Sequence, residues 1–275
     1  MNVGANTFGL RTVFYGDFDR GLQQLKEAGI TSLEVCVEFP SDPANMPDFP
    51  KLEGADVMAS GIFTQENAPA RIQAMRDAGF TVIGVHPMAF VSKPQEILDM
   101  IPLLISFAKE NHIEYYASSP MKDADALQEF ISAYKEASSR LAAEGITYMI
   151  HNHELEVKKI NGRSGLDLLL SQCPDLKIEL DVGWVTFAGE DPIELMEKYK
   201  DHLGVIHLKD LRADACEENR DSCFTAVGEG AIPLKEIIAK AKALGLGDHC
   251  LVIDQDASNG KMIDDVRTGV FNISK

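Results

Sequence analysis

Short runs of apolar and β-branched residues alternate along the chain with longer segments in which apolar residues recur at helical spacing, and the alternation continues to the C-terminus. This pattern predicts parallel strands joined by helices. Strands are expected near Val3–Phe8, Ser32–Val37, Thr81–His86, Glu114–Ser118, Tyr148–His153, Lys177–Val182, Gly204–Lys209 and Cys250–Gln255, eight in all. Helices are expected over Asp17–Glu27, where Phe18, Leu22 and Leu25 share a face and Gly29 ends the run, and over Asn67–Ala78, Glu96–Glu110 and Ala124–Ala143. Four more follow at Gly165–Ser171, Pro192–Lys200, Leu234–Leu244 and Met262–Val270. The connections Glu38 to Glu66 and Leu211 to Pro233 are too long for minimal loops; both follow strands, which in a barrel is the active face. A closed (β/α)8 barrel forming a single domain is therefore expected. An open doubly wound sheet would normally bring a glycine-rich phosphate turn, and neither GxGxxG nor a P-loop occurs.

The 275 residues suit one such barrel, and 45% hydrophobic with 25% charged residues is an ordinary soluble composition. The net charge of −17 changes the picture more, because so acidic a surface repels phosphate backbones and anionic lipid. Nucleic acid and membrane are not expected partners. A phosphorylated small substrate stays open, since Lys209 and Arg212 lie close together and could make a local positive pocket. The five cysteines are scattered without a CxxC pair and read as reduced thiols of a cytoplasmic protein. The start lacks a basic stretch followed by a long apolar run, and no segment approaches the roughly 20 apolar residues of a membrane span.

Alternate residues of a barrel strand face inward, so polar residues that share parity at several strand ends mark a site. His151 and His153 share a face of the fifth strand, with Glu156 just beyond; Glu179 and Asp181 share one on the sixth. His207 and Lys209 do so on the seventh, Asp254 and Asp256 on the eighth, and Glu34 and His86 lie near the ends of earlier strands. A barrel interior is usually filled by branched apolar side chains, so this many ionisable groups requires a compensating partner. One divalent ion meets that need, and carboxylates mixed with imidazole suit manganese, cobalt, magnesium or zinc. Taken singly, His86 reads as a hydrogen-bonded rim histidine and Glu179 as a buried carboxylate paired with a lysine; Asp181 and His207 each end an otherwise apolar strand.

The segments HNHELEV at 151–157, ELDVGWV at 179–185, HLKD at 207–210, VGEG at 227–230 and VIDQD at 252–256 resemble the xylose isomerase-like barrel superfamily of sugar phosphate isomerase/epimerase-like and inosose dehydratase-like proteins. The resemblance implies metal ligands at Asp181 and His207, and at Asp254, where many relatives carry the longer Glu. On the fifth strand it implies Glu156 reaching back to the metal, with His151 as the competing ligand and His153 then the acid/base. Trp184 and Lys209 are implied as substrate contacts, Lys209 suiting a substrate oxygen. Glu34, His86, Arg212 and Asp256 complete the expected substrate-binding set.

The implied chemistry is isomerisation or epimerisation of a sugar or sugar phosphate, by proton transfer beside a carbonyl with enediolate stabilisation. A lyase or dehydratase of a keto-sugar, keto-glycoside or inosose shares the first step. A non-catalytic sugar-binding barrel is the alternative of another class, and homo-oligomerisation is left open. A metal-dependent endonuclease for abasic DNA is disfavoured by the acidic balance.

Overall fold

A computed structural model of the chain describes residues 2–40 and 55–275. Eight parallel strands run β1 Gly4–Asn6, β2 Ser32–Glu38, β3 Thr81–Met88, β4 Tyr115–Ser118, β5 Thr147–His151, β6 Leu176–Asp181, β7 Leu203–Leu208 and β8 Leu251–Ile253. Each pairs with the next, and β8 pairs back to β1 through Gly4 with Val252 and Ala5 with Ile253, closing the barrel. Helices occupy the connections, so the architecture is the expected (β/α)8 barrel.

Local chemistry accounts for the punctuation. The helix Phe18–Ala28 starts where the Asp17 carboxylate accepts from Arg20 N at 3.0 Å, and it stops at Gly29, whose φ of 93° is the left-handed value glycine adopts readily. Within the barrel, Met149, Val205 and Val252 precede His151, His207 and Asp254 by two residues on the same strand faces. They join Ile83, Tyr115 and Ala117 in a small apolar cluster that plugs the barrel beneath the polar residues. A larger apolar layer lies between strands and helices.

The structure departs from the sequence expectations at strand ends. The fifth and sixth strands stop at His151 and Asp181; the short helix Glu154–Val157 begins two intervening residues after the one, and Val182–Phe187 directly after the other. Asp181 ends its strand by accepting from Trp184 N at 2.9 Å, an N-cap that its place in the strand alternation concealed. The helix expected over Ala124–Ala143 breaks into Ala124–Leu127, a tight turn at Gln128–Phe130, and Ile131–Ala143. The first long connection contains a helix, Ala55–Gly61, and a strand, Ile62–Thr64, that pairs with the end of β2; residues 41–54 of that connection lie outside the described residues.

In the second long connection, Asp210–Leu211 and Phe224–Thr225 form an antiparallel pair. Asp210 pins this loop, its carboxylate accepting from the backbone N–H groups of Leu211, Gly228, Gly230 and Ile232 at 2.8–3.1 Å. All five cysteines are unpaired. Among the described residues, no helix is long and apolar enough to cross a membrane.

Candidate metal and substrate site

At the C-terminal end of the barrel, His151, Asp181, His207 and Asp254 converge from four consecutive strand ends. All four are buried, and their ligand atoms lie within 4.8 Å of one another. Asp181 Oδ1 is taken up by the Trp184 N–H, which leaves Oδ2 buried without a hydrogen-bond partner. Two imidazoles and two carboxylates, one of them with an unsatisfied oxygen, are donors that fit a divalent cation of the zinc or manganese kind.

Beneath and beside this group run supporting contacts. Glu179 Oε2 lies 3.0 Å from His151 Nδ1 and 3.2 Å from His207 Nε2, and Glu34 Oε2 lies 2.9 Å from His207 Nε2. Asn152 extends the ladder between β5 and β6 with its side chain, accepting from Asp181 N at 3.0 Å and donating to Asp181 O at 3.2 Å. That two-way bond turns the flanking histidines, with ring centroids 5.1 Å apart, toward the site. Lys209 Nζ donates to Asp254 and Asp256 at 2.9 Å each and lies 5.6 Å from the Trp184 ring centroid.

The electrostatics follow from burial and neighbours. Burial would raise the Glu34 carboxyl, but the adjacent imidazole of His207 holds it at about 2. Glu179 is pushed well above the carboxylate range by burial and by the charge on Glu34. Burial would lower His207, yet Glu179 and Glu34 raise it. Asp181 is raised by burial to about 7 against the pull of Lys209. His153 is pushed down to about 3 by burial and by the cations Lys209 and Arg220, so its ring is neutral; its Nδ1 is buried with no hydrogen-bond partner. Burial would lower Lys209, but Asp254, Asp256 and Asp181 raise it, so it stays an ammonium.

A cavity of about 250 Å3 opens over this group, lined among others by His86, His151, His153, Trp184, Lys209, Asp254 and Asp256. Asp181 and His207 lie just below, fully buried.

Three expected site residues are placed differently. Glu156 does not reach back to the cluster: its carboxylate accepts from Lys122 N at 2.7 Å and His153 N at 2.9 Å, which ties the loop after β4 to the loop after β5. The turn of helix that begins at Glu154 aims it away from the barrel axis, and His151 stands in the fifth-strand position instead. Glu34 does not line the cavity; it lies behind His207, bonded to that ring and to Asn6. Arg212 is held in its own loop by Asp214 and the Ser222 carbonyl, at 3.0 and 2.6 Å, and also does not line the cavity. Glu179, for its part, pairs with histidines rather than with a lysine.

Arg220, which the sequence reading missed, takes the place expected of Arg212. Glu154 grips it at 2.8 and 2.9 Å, and its guanidinium carbon lies 4.3 Å from the Trp184 ring centroid at the cavity mouth. The available signal was weak: a second arginine in the same acidic loop. Asn6 and Met121, which also line the cavity, carried no motif signal.

Comparisons with known proteins agree with this architecture. An inosose dehydratase of Lacticaseibacillus casei is 22% identical over 266 residues, covering 89% of this chain and 84% of that one. The structure of a sugar phosphate isomerase/epimerase from Parabacteroides distasonis superposes with a TM-score of 0.74 at 19% identity, covering 100% of this chain and 98% of that one. The IOLI protein, solved with a binding zinc atom, superposes with a TM-score of 0.68 at 12% identity, covering 100% and 95%. At such identities the structural likeness speaks to fold. A family model described as xylose isomerase-like TIM barrel matches residues 22–268, and the chain belongs to that family.

Proposed function

We propose that the chain is a divalent-metal-dependent isomerase or epimerase of a carbohydrate, working by proton transfer beside a carbonyl. The observation that carries this reading is the convergence of His151, Asp181, His207 and Asp254 under a cavity that also holds a neutral histidine and a fixed ammonium. These four residues would hold the ion, which when bound supplies Lewis-acid polarisation of adjacent substrate oxygens. His153, with Nδ1 open, takes the proton from the hydroxyl-bearing carbon beside the carbonyl; its return to the former carbonyl carbon, with the hydroxyl proton passing to the former carbonyl oxygen, isomerises the substrate, and return to the other face of the same carbon epimerises it. Lys209, held by Asp254 and Asp256, donates to the substrate oxygen on which negative charge develops. Trp184 and Arg220 close one side of the cavity and exclude water from the transfer.

A lyase reading is favoured by one specific observation, the inosose dehydratase relative that aligns over 89% of the chain. The first step is the same. The C–O bond β to the carbonyl then breaks, and His153 delivers its proton to the departing oxygen, which leaves as water or an alcohol.

Elemental analysis, calorimetric titration with manganese, cobalt, zinc and magnesium, and a proton-NMR screen on keto-sugars test the proposal together. About one ion per chain is expected. Isomerisation conserves the substrate formula and elimination loses a small molecule, so the spectra separate the two readings. Absence of ion binding by any of the four metals would sink both.

A further inference from the structure

Much of the cavity's apolar lining comes from one stretch of the chain. The end of β3 and the loops after β3 and β4 supply Pro87, Met88, Phe90 and Met121, with Met58 beside them from the helix Ala55–Gly61, and the same segments also contribute the polar His86 and Ser119. The ends of β5 to β8 and the segments after them supply His151, His153, Trp184, Lys209, Arg220 and the aspartates. Sugar hydroxyls find partners on the second wall and at His86 and Ser119, whose Nε2 and Oγ have no hydrogen-bond partner, whereas the thioethers and aromatic ring of the first wall suit an apolar surface.

Met121 is fixed in that wall despite its backbone. Its φ of 52° lies in the left-handed region, which non-glycine residues adopt only when their surroundings hold them there. The next residue holds it there: Lys122 N donates to the buried Glu156 carboxylate at 2.7 Å, and Lys122 Nζ donates to the Val91 carbonyl at 2.8 Å.

The cations that line the cavity, among the described residues, are already engaged. Lys209 is shared between Asp254 and Asp256 at 2.9 Å. Arg220 is gripped by Glu154 and bonded to Asp221 at 3.0 Å. Arg11 spans the Phe8 and Asp256 carbonyls at 2.9 and 2.7 Å. A phosphate would have to compete with carboxylates for Lys209 and Arg220 and with backbone carbonyls for Arg11, inside a protein of net charge −17.

We propose that the substrate is an uncharged carbohydrate bearing an apolar substituent, its ring over the polar wall and its substituent against Met88 and Met121, and that sugar phosphates are not accepted. This rests on the carbohydrate chemistry proposed above and narrows it.

Trp184 is the only tryptophan and lines the cavity, so its fluorescence reports occupancy. The full chain supplied with zinc is titrated with glucose, galactose and xylose, with their phenyl β-glycosides, and with glucose 6-phosphate. For at least one sugar the phenyl glycoside is expected to bind roughly 10-fold more tightly than the free sugar, with glucose 6-phosphate no tighter than glucose. Met121→Gln, which keeps length and backbone strain while adding a polar amide, is expected to lower the phenyl-to-free ratio severalfold. Met88→Gln repeats the test on a residue without that strain. A phosphate preference, a phenyl advantage absent for every sugar, a ratio unmoved in both variants, or no quenching by any ligand overturns the inference. The broader proposal fails separately, by absence of metal or of keto-sugar turnover.

Discussion

Glu156 lies five residues beyond His151, yet its two oxygens serve the backbone rather than the metal cluster. Buried there, its carboxyl titrates at about 7 against an ordinary 4.5. The folded protein therefore keeps a proton that the unfolded chain releases. Stability from this group is full below pH 4.5 and is lost as the pH rises to 7, by up to about 1.4 kcal/mol per pH unit. The stability of the parent relative to Glu156→Gln should accordingly fall between pH 5 and pH 7 in urea titrations, and a difference independent of pH would contradict it. Within the cluster, His151→Ala and Asp181→Asn should lose bound metal, whereas His153→Ala should keep it and lose roughly 10²–10⁴-fold in rate. Retained metal in all three with normal turnover of His153→Ala would undo the assignment. At this scale the sequence was legible where a strand fixed the side chain, as for Asp181 and His207. It was not legible at Arg212 and Arg220, because which arginine of an acidic loop turns inward depends on Glu154, 66 residues away.

The helix Val182–Phe187 begins without a loop after β6, and its position depends on close approach. A Cβ at Gly183 would lie 2.5 Å from the Lys209 carbonyl oxygen and 2.8 Å from the Lys209 Cβ, so backbone must move to admit one. Gly183→Ala should cost about 1–3 kcal/mol and displace Lys209 from Asp254 and Asp256, lowering turnover as well. Urea unfolding and a rate assay check this, and a variant matching the parent in both would show that the contact yields without consequence. Elements of this kind are what the hydrophobic pattern could not predict. The alternation of strands and helices was visible because apolar periodicity spans whole elements, but the strand expected over Lys177–Val182 carries no turn residue before Gly183, and the Asp181 side chain capping Trp184 N is what ends it.

Across the whole molecule, the barrel concentrates Glu34, Glu179, Asp181 and Asp254 in one buried place, with few cations to offset them. An ion that binds only the folded chain stabilises it by about 2.7 kcal/mol at a hundred times its dissociation constant. Thermal unfolding should shift upward by several degrees with zinc or manganese and back again with a chelator. Midpoints that ignore both would argue against a folded-state metal. The closed topology was foreseeable from strand count and the missing phosphate turn, whereas the apolar wall of the cavity was not, since Met88 and Met121 belong to no motif. That wall has an evolutionary consequence. The four residues of the cluster all fall between positions 151 and 254, and the strand ends and loops that carry Met88 and Met121 precede them. A half-barrel exchange at about residue 125 would therefore move the proposed apolar wall while keeping the four cluster residues together, and would replace the Glu34 support behind His207. Divergence within such a lineage can proceed by recombination of gene segments as readily as by point substitution.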